Sequence, residues 1–241
     1  MSFLSPARAY PDRVQERRSG EQDLIGPAVR PRFGSADHAP NRTGGEADAE
    51  IDLRQLRHHT KNTLQRILGL INQNPGLRES PEGQQIAQEL EYRICLSAKV
   101  SDALFGLTKS PASMSDRLRV LSGSLVDLLR EESQTIRLGV SVRGDCPVHL
   151  RQTVLRVANE LIGNAVKHGM RGRPTGRITV RLASDEGTRT TLTVVDNGWG
   201  FSGSPTMGEG LEVAQGLAER HDGTLNVWTD EGTVAVLDLP H

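Results

Sequence analysis

Cysteine is scarce: Cys95 and Cys146 are the only two in 241 residues. Without metal-ligand spacing around them they exclude a disulfide framework and a zinc site. Both read as free, buried thiols, the usual place of unpaired cysteine. Long apolar runs are also missing. None approaches the roughly 20 residues needed to cross a bilayer, so no membrane insertion is expected. No basic segment followed by an apolar core opens the chain, which argues against a secretory signal. An excess of one charge is lacking too, since 29 Lys and Arg face 30 Asp and Glu for a net −1. No overall basic field therefore draws the chain to nucleic acid or acidic lipid. The expectation is a soluble, cytoplasmic protein whose signal arrives through the cytoplasm or from an upstream sensor protein. No internal repeat and no sensor domain are visible.

What is present divides into three segments. Residues 1–48 are rich in Pro, Gly, Arg, Asp and Glu, with Phe3, Leu4, Leu24, Ile25 and Phe33 scattered among them. Such a tail cannot offset its ordering entropy by burial, and it reads as disordered or weakly structured. Residues 49–110 carry helical periodicity. Leu64, Ile67, Leu68 and Ile71 have the three-and-four spacing of one helix face. Asn74-Pro75-Gly76 breaks that helix. A second helix is expected from Ser80 to Leu107, with Ser80 as N-cap, Pro81 in the first helical position and Glu82 at the positive end of the dipole. Two such helices form a hairpin whose apolar stripes need a partner, and a four-helix bundle from two chains would supply it. Lys109-Ser110-Pro111 reads as a linker.

Residues 111–241 change to a mixed pattern. Helices are expected over Ser115–Glu132, His149–Lys167 and Gly210–His221. Strands are expected at Ile136–Val142, Ile178–Leu182, Thr190–Val195, Thr224–Trp228 and Val234–Leu239. Mostly antiparallel strands covered by helices on one face make an α+β sandwich.

Three clusters carry candidate chemistry. In the first, Glu160, Asn164, Lys167 and His168 share one polar face of a helix whose other side is apolar. A carboxylate and an amide oxygen are hard ligands that suit magnesium, and Lys167 and His168 could meet phosphate. Taken alone, such a polar helix face is usually just solvated. In the second, a β-branched strand ends in Asp196-Asn197-Gly198-Trp199-Gly200. An Asp there can accept from an exocyclic amine, and the glycines let backbone approach a flat base, although a plain strand and turn has the same look. In the third, Gly208-Glu209-Gly210 precedes an apolar helix, whose first N–H groups suit phosphate. A lone GxG is weak evidence, and Glu209 would repel phosphate unless it turned outward.

The order and context of Asn164, Asp196 and Gly208-x-Gly210 resemble the N, G1 and G2 boxes of the GHKL (Bergerat) ATP-binding fold. Gyrase, Hsp90, histidine kinases and MutL share that fold, and the resemblance covers about residues 115–239. It implies ATP and Mg2+ as ligands, with Asn164 and Glu160 toward the metal and Asp196 reading the adenine amine. Lys167, His168, Gly198, Gly200, Gly208 and Gly210 would complete the nucleotide site. Only a short segment separates Gly200 from Gly208, so a small lid is expected.

Upstream, His58-His59-Thr60-Lys61-Asn62-Thr63-Leu64-Gln65 resembles the H box of a histidine kinase subfamily related to the HWE kinases, His-Arg-x-Lys-Asn-x-Leu-Gln. The resemblance implies that His58 accepts a phosphoryl group from ATP. It implies that Asn62, one turn along, supports dephosphorylation of a partner. It further implies a homodimer serving a response-regulator receiver domain. The carboxylate that often follows the acceptor is replaced by His59, so His59, Glu160 or no dedicated base takes the proton. The Trp-x-Glu motif of strict HWE kinases is absent, because Gly200 and Phe201 follow Trp199. Two other readings fit less of the pattern: a non-catalytic histidine phosphotransfer protein or scaffold with a degenerate GHKL domain, and a serine kinase of the anti-sigma type.

Overall fold

The computed structural model describes residues 59–77, 79–105, 112–185, 187–202 and 208–241. The tail, His58, the 109–111 linker, the end of the second helix at Leu107 and the lid residues 203–207 lie outside the described residues.

The first helix, α1, spans residues 59–73. It ends where the Asn74 side chain accepts from the Gly76 N–H at 3.0 Å, opening a 3-10 turn over Pro75–Leu77. Helix α2 covers Pro81–Phe105. Ser80 caps it as the sequence suggests, its Oγ accepting from the Gly83 N–H at 3.0 Å. Leu64 and Leu68 of α1 face Ile94 and Ala98 of α2 across a small cavity, so the two helices fold back on each other. Ile67, Leu70, Ile86, Leu90 and Tyr92 remain exposed on this hairpin. The expectation of two buried thiols is corrected here. Cys146 is buried but Cys95 is exposed, because it borders the small cavity that α1 and α2 leave between them.

Helix α3 runs Met114–Leu129 and is capped by Ser113, whose Oγ accepts from the Asp116 N–H at 3.1 Å. Strand β1 (Thr135–Arg143), helix α4 (Val148–Asn164), strands β2 (Thr175–Asp185) and β3 (Arg189–Asp196), helix α5 (Glu209–Glu219) and strands β4 (Thr224–Thr229) and β5 (Thr233–Pro240) follow. The sheet has the order β1-β2-β3-β5-β4. Only β1 and β2 pair in parallel, because α4 carries the chain back between them; the other neighbours are antiparallel.

Alternation decides which face is covered. Ile178, Val180 and Leu182 point into the core, while Arg177 and Arg181 are exposed. Leu118 and Leu121 of α3, Leu150, Leu155 and Ile162 of α4, and Leu192, Leu237 and Leu239 of the sheet are fully buried. Each such side chain contributes roughly 1.5–3 kcal/mol. The result is a two-layer α+β sandwich with helices on one face and solvent on the other. Strand β3 lies at its centre, so Asp196 emerges at the end of the best-supported strand.

Candidate functional site

The helix expected to reach Lys167 changes hydrogen-bond pattern before it gets there. Regular α-helix stops at Asn164, and Ala165–Gly169 form one π turn, closed by the Met170 N–H donating to the Ala165 carbonyl at 2.9 Å. π turns are uncommon and frequently sit at functional sites. This one is held from outside. Buried Gln134, between α3 and β1, donates from Nε2 to the Met170 carbonyl at 2.7 Å and accepts the Glu131 N–H at 3.0 Å. Long-range hydrogen bonding of this kind leaves no local sequence signal.

Asp196 faces the π turn. It is 4% exposed, and its Oδ1 accepts from the Gly198 N–H at 2.7 Å and the Thr233 N–H at 3.3 Å. Burial pushes its pKa up. The Gly198 and Thr233 N–H groups, the Thr233 hydroxyl and the positive charge of Arg173 act in the opposite direction. Gly169 packs directly on this carboxylate: a Cβ there would stand 2.9 Å from Oδ1. A Cβ on Gly198 would collide with the Gly169 carbonyl, which accepts the Trp199 N–H at 3.1 Å. Gly200 has φ +62°, a conformation that favours glycine, and turns the chain so that Phe201 N–H and carbonyl both bond the Thr229 hydroxyl.

These residues border a cavity of roughly 450 Å³, a size typical of small-molecule sites. Asn164, His168, Asp196, Gly200, Gly208 and Gly210 line it, together with Leu161, Gly169, Val194, Leu211, Val227, Thr233 and Ala235. Of the residues singled out in the sequence, six thus meet at one cavity. Three stand apart from its lining. Lys167 is exposed. Gly198 packs behind, against Gly169. Half-buried Glu160 accepts from Asn159 Nδ2 at 3.1 Å and lies against Gly210. Glu209 is exposed, so its carboxylate is solvated rather than buried at the helix start. Asn62 and His59 are exposed on α1. Gly169 and Thr233 were not singled out in the sequence. A glycine at a helix end usually reads as a C-cap, whereas Thr233 becomes visible only through its register with Asp196.

An apolar cavity lined by a buried carboxylate and by an uncapped helix start at Gly208 fits a purine nucleotide. Residues 149–241 match the family described as histidine kinase-, DNA gyrase B-, and HSP90-like ATPase. Over those residues the chain is similar to the GHKL ATP-binding fold. Comparison with curated proteins returns no match. Among solved structures, the chain is similar to the histidine kinase domain of the Erythrobacter litoralis EL346 blue-light activated histidine kinase. The identity is 18% and the TM-score 0.52, over 80% of this chain and 93% of that one. It is also similar to the Erythrobacter litoralis EL346 blue-light activated histidine kinase in a longer form, at 18% identity and a TM-score of 0.50. There 86% of this chain aligns with 62% of the other, so the match spans less than two thirds of that protein. At these identities the likeness is one of fold: a GHKL domain preceded by helices. No helix among the described residues is long and apolar enough to cross a membrane.

Proposed function

We propose that the chain is a histidine kinase of two-component signalling that phosphorylates itself on His58 and passes the phosphoryl group to a response-regulator aspartate. The observation that carries the reading is the buried Asp196 carboxylate in the cavity lining, together with Asn164, His168, Gly208 and Gly210. Asp196 would accept from the adenine amine, and the N–H groups at the start of α5 would receive phosphate. Asn164, with Glu160 behind Gly210, would hold Mg2+, which when bound neutralises charge on the transferring phosphate.

Transfer forms a bond from an imidazole nitrogen of His58 to the γ-phosphorus and breaks the bond from that phosphorus to the β,γ-bridging oxygen; ADP departs and the ring proton is lost. An imidazole is mostly neutral, and so nucleophilic, near pH 7. The chain's own contribution is to position the groups and exclude water. Dimerisation through the hairpin fits its exposed Ile67, Leu70, Ile86 and Leu90. Asn62, within the H box and four residues after His58, suits a role in dephosphorylating the regulator.

Incubation with γ-labelled ATP and magnesium should give acid-labile, base-stable label that is lost in His58→Ala and moves to a receiver domain. Acid-stable label would favour a serine kinase instead. Absence of ATP binding would reduce the protein to a phosphotransfer relay or scaffold.

A further inference from the structure

Trp199 is 68% exposed, yet three interactions fix it. Its N–H donates to the Gly169 carbonyl at 3.1 Å, its indole Nε1 donates to the Arg171 carbonyl at 2.9 Å, and the Arg173 guanidinium lies 5.1 Å from the ring centroid. The chain between these anchors, Gly169 to Arg173, is the exit of the π turn. On the inner side, buried Gln134 binds the Met170 carbonyl at 2.7 Å. An exposed indole and a buried carboxamide therefore grip adjacent carbonyls of one short segment from opposite sides.

That segment is the surface against which the Asp196 carboxylate rests. Gly169 is close enough that a single Cβ would press on three atoms of the carboxyl group. With Oδ1 committed to Gly198 and Thr233, a close fit on the Gly169 side keeps the carboxylate from turning and keeps water off it. An ionised carboxylate only accepts hydrogen bonds, so a carboxylate held still and dry discriminates between a base edge that donates and one that accepts.

We propose that Trp199 and Gln134 are positioning residues that clamp the Gly169–Arg171 turn against Asp196 and thereby set the pocket's choice of a 6-amino over a 6-oxo purine. The inference rests on the nucleotide-site reading above. It adds two residues that do not line the cavity, Trp199 between Gly198 and Gly200 and Gln134 on a distant segment. Trp199→Phe keeps the ring and removes one donor, at a position exposed enough to tolerate the change. Gln134→Met keeps the volume and removes the other donor, together with the acceptor of the Glu131 N–H.

The test is a calorimetric titration of the full chain with ATP and with inosine triphosphate, which differ at the purine 6-position. Wild type is expected to prefer ATP. Each substitution should lower the ATP-to-inosine-triphosphate affinity ratio by about three- to tenfold, the effect of one lost hydrogen bond, while affinity for inosine triphosphate holds. A ratio that stays at the wild-type value in Trp199→Phe overturns the clamp. So does an equal loss for both nucleotides, which marks a purely structural role. A wild type that binds both nucleotides alike sinks the clamp and leaves the kinase reading standing. A wild type that binds neither sinks both.

Discussion

Arg117 of α3 grips the last turn of α2 at Ala103. Its Nε donates to the Ala103 carbonyl at 3.0 Å, and its Nη2 donates to the Leu104 carbonyl at 3.0 Å. A cation at a helix C-terminus meets carbonyls that have no partner within the helix. Ala103 belongs to the same buried cluster as Leu118 and Leu150, so the grip joins the helical hairpin to the α+β sandwich. Arg117→Met is expected to destabilise the chain by about 1.5–3 kcal/mol, the range for hydrogen bonds made by charged groups. Urea unfolding would measure the loss, and hydrogen exchange should place the new opening at residues 100–105.

Asp196 couples binding to stability with opposite signs. Its pKa is raised in the fold, chiefly by burial, so the folded state holds the proton more tightly than the unfolded chain. The penalty of the buried charge is fully present above the folded pKa and is relieved as pH falls toward the unfolded value of about 3.9. Asp196→Asn should therefore raise the melting temperature at pH 7, and the gain should shrink as the pH is lowered through the folded pKa. The same substitution should abolish measurable ATP binding, because the amide presents a donor where an acceptor is needed.

Two glycines of the pocket differ in what surrounds them. A methyl group at Gly169 would press on a carboxylate held by two backbone N–H groups. Gly169→Ala should cost about 1–3 kcal/mol as overpacking and weaken ATP binding with it. A methyl group at Gly210 would meet the end of the half-buried Glu160 side chain, which can swing aside. Gly210→Ala should change the melting temperature little, a contrast that thermal unfolding of the pair would check.

His221 lies at the end of α5 with its Nε2 2.9 Å from the Thr153 hydroxyl and its ring 6.3 Å from that of His149. Burial, then His149 and Arg220, lowers its pKa against the opposing effect of Asp222. A lowered basic group binds fewer protons folded than unfolded, so stability is lost as pH falls from about 6.5 toward the folded value. The wild type should melt at a lower temperature at pH 5.5 than at pH 7, and His221→Gln should narrow that difference.

The two cysteines should react at different rates. Cys95 is exposed, whereas Cys146 is buried and its thiol is pushed up to about 11, mainly by burial. Since thiolate is the reactive form, an aromatic disulfide reagent should titrate one thiol in the native protein and the second only after denaturation.

Much of the site was legible in the sequence because its parts are local. Asn164 and His168 share a helix face, Asp196 ends a β-branched run, and Gly208-x-Gly210 opens a helix. Such spacings follow from helix and strand periods alone. The helix limits were less legible. The run from His149 reads as one helix through Lys167, but α-helix stops at Asn164 because Gln134, thirty-six residues before Met170, captures the carbonyl beyond the π turn. The exposure of Cys95 is likewise not legible, since apolarity does not reveal that α1 and α2 leave a cavity beside it.

By itself the sequence determined the alternation of strands and helices, the two-layer sandwich and the residue types of the candidate nucleotide site, all consequences of short-range pattern. The tertiary structure decided that Asn164, Asp196 and Gly210 border one cavity and that Gly169 rests on the carboxylate. It also decided that Thr233, rather than another strand residue, donates to it. Those outcomes depend on strand register and on hydrogen bonds between distant segments, and buried polar groups must find such partners wherever the fold brings them.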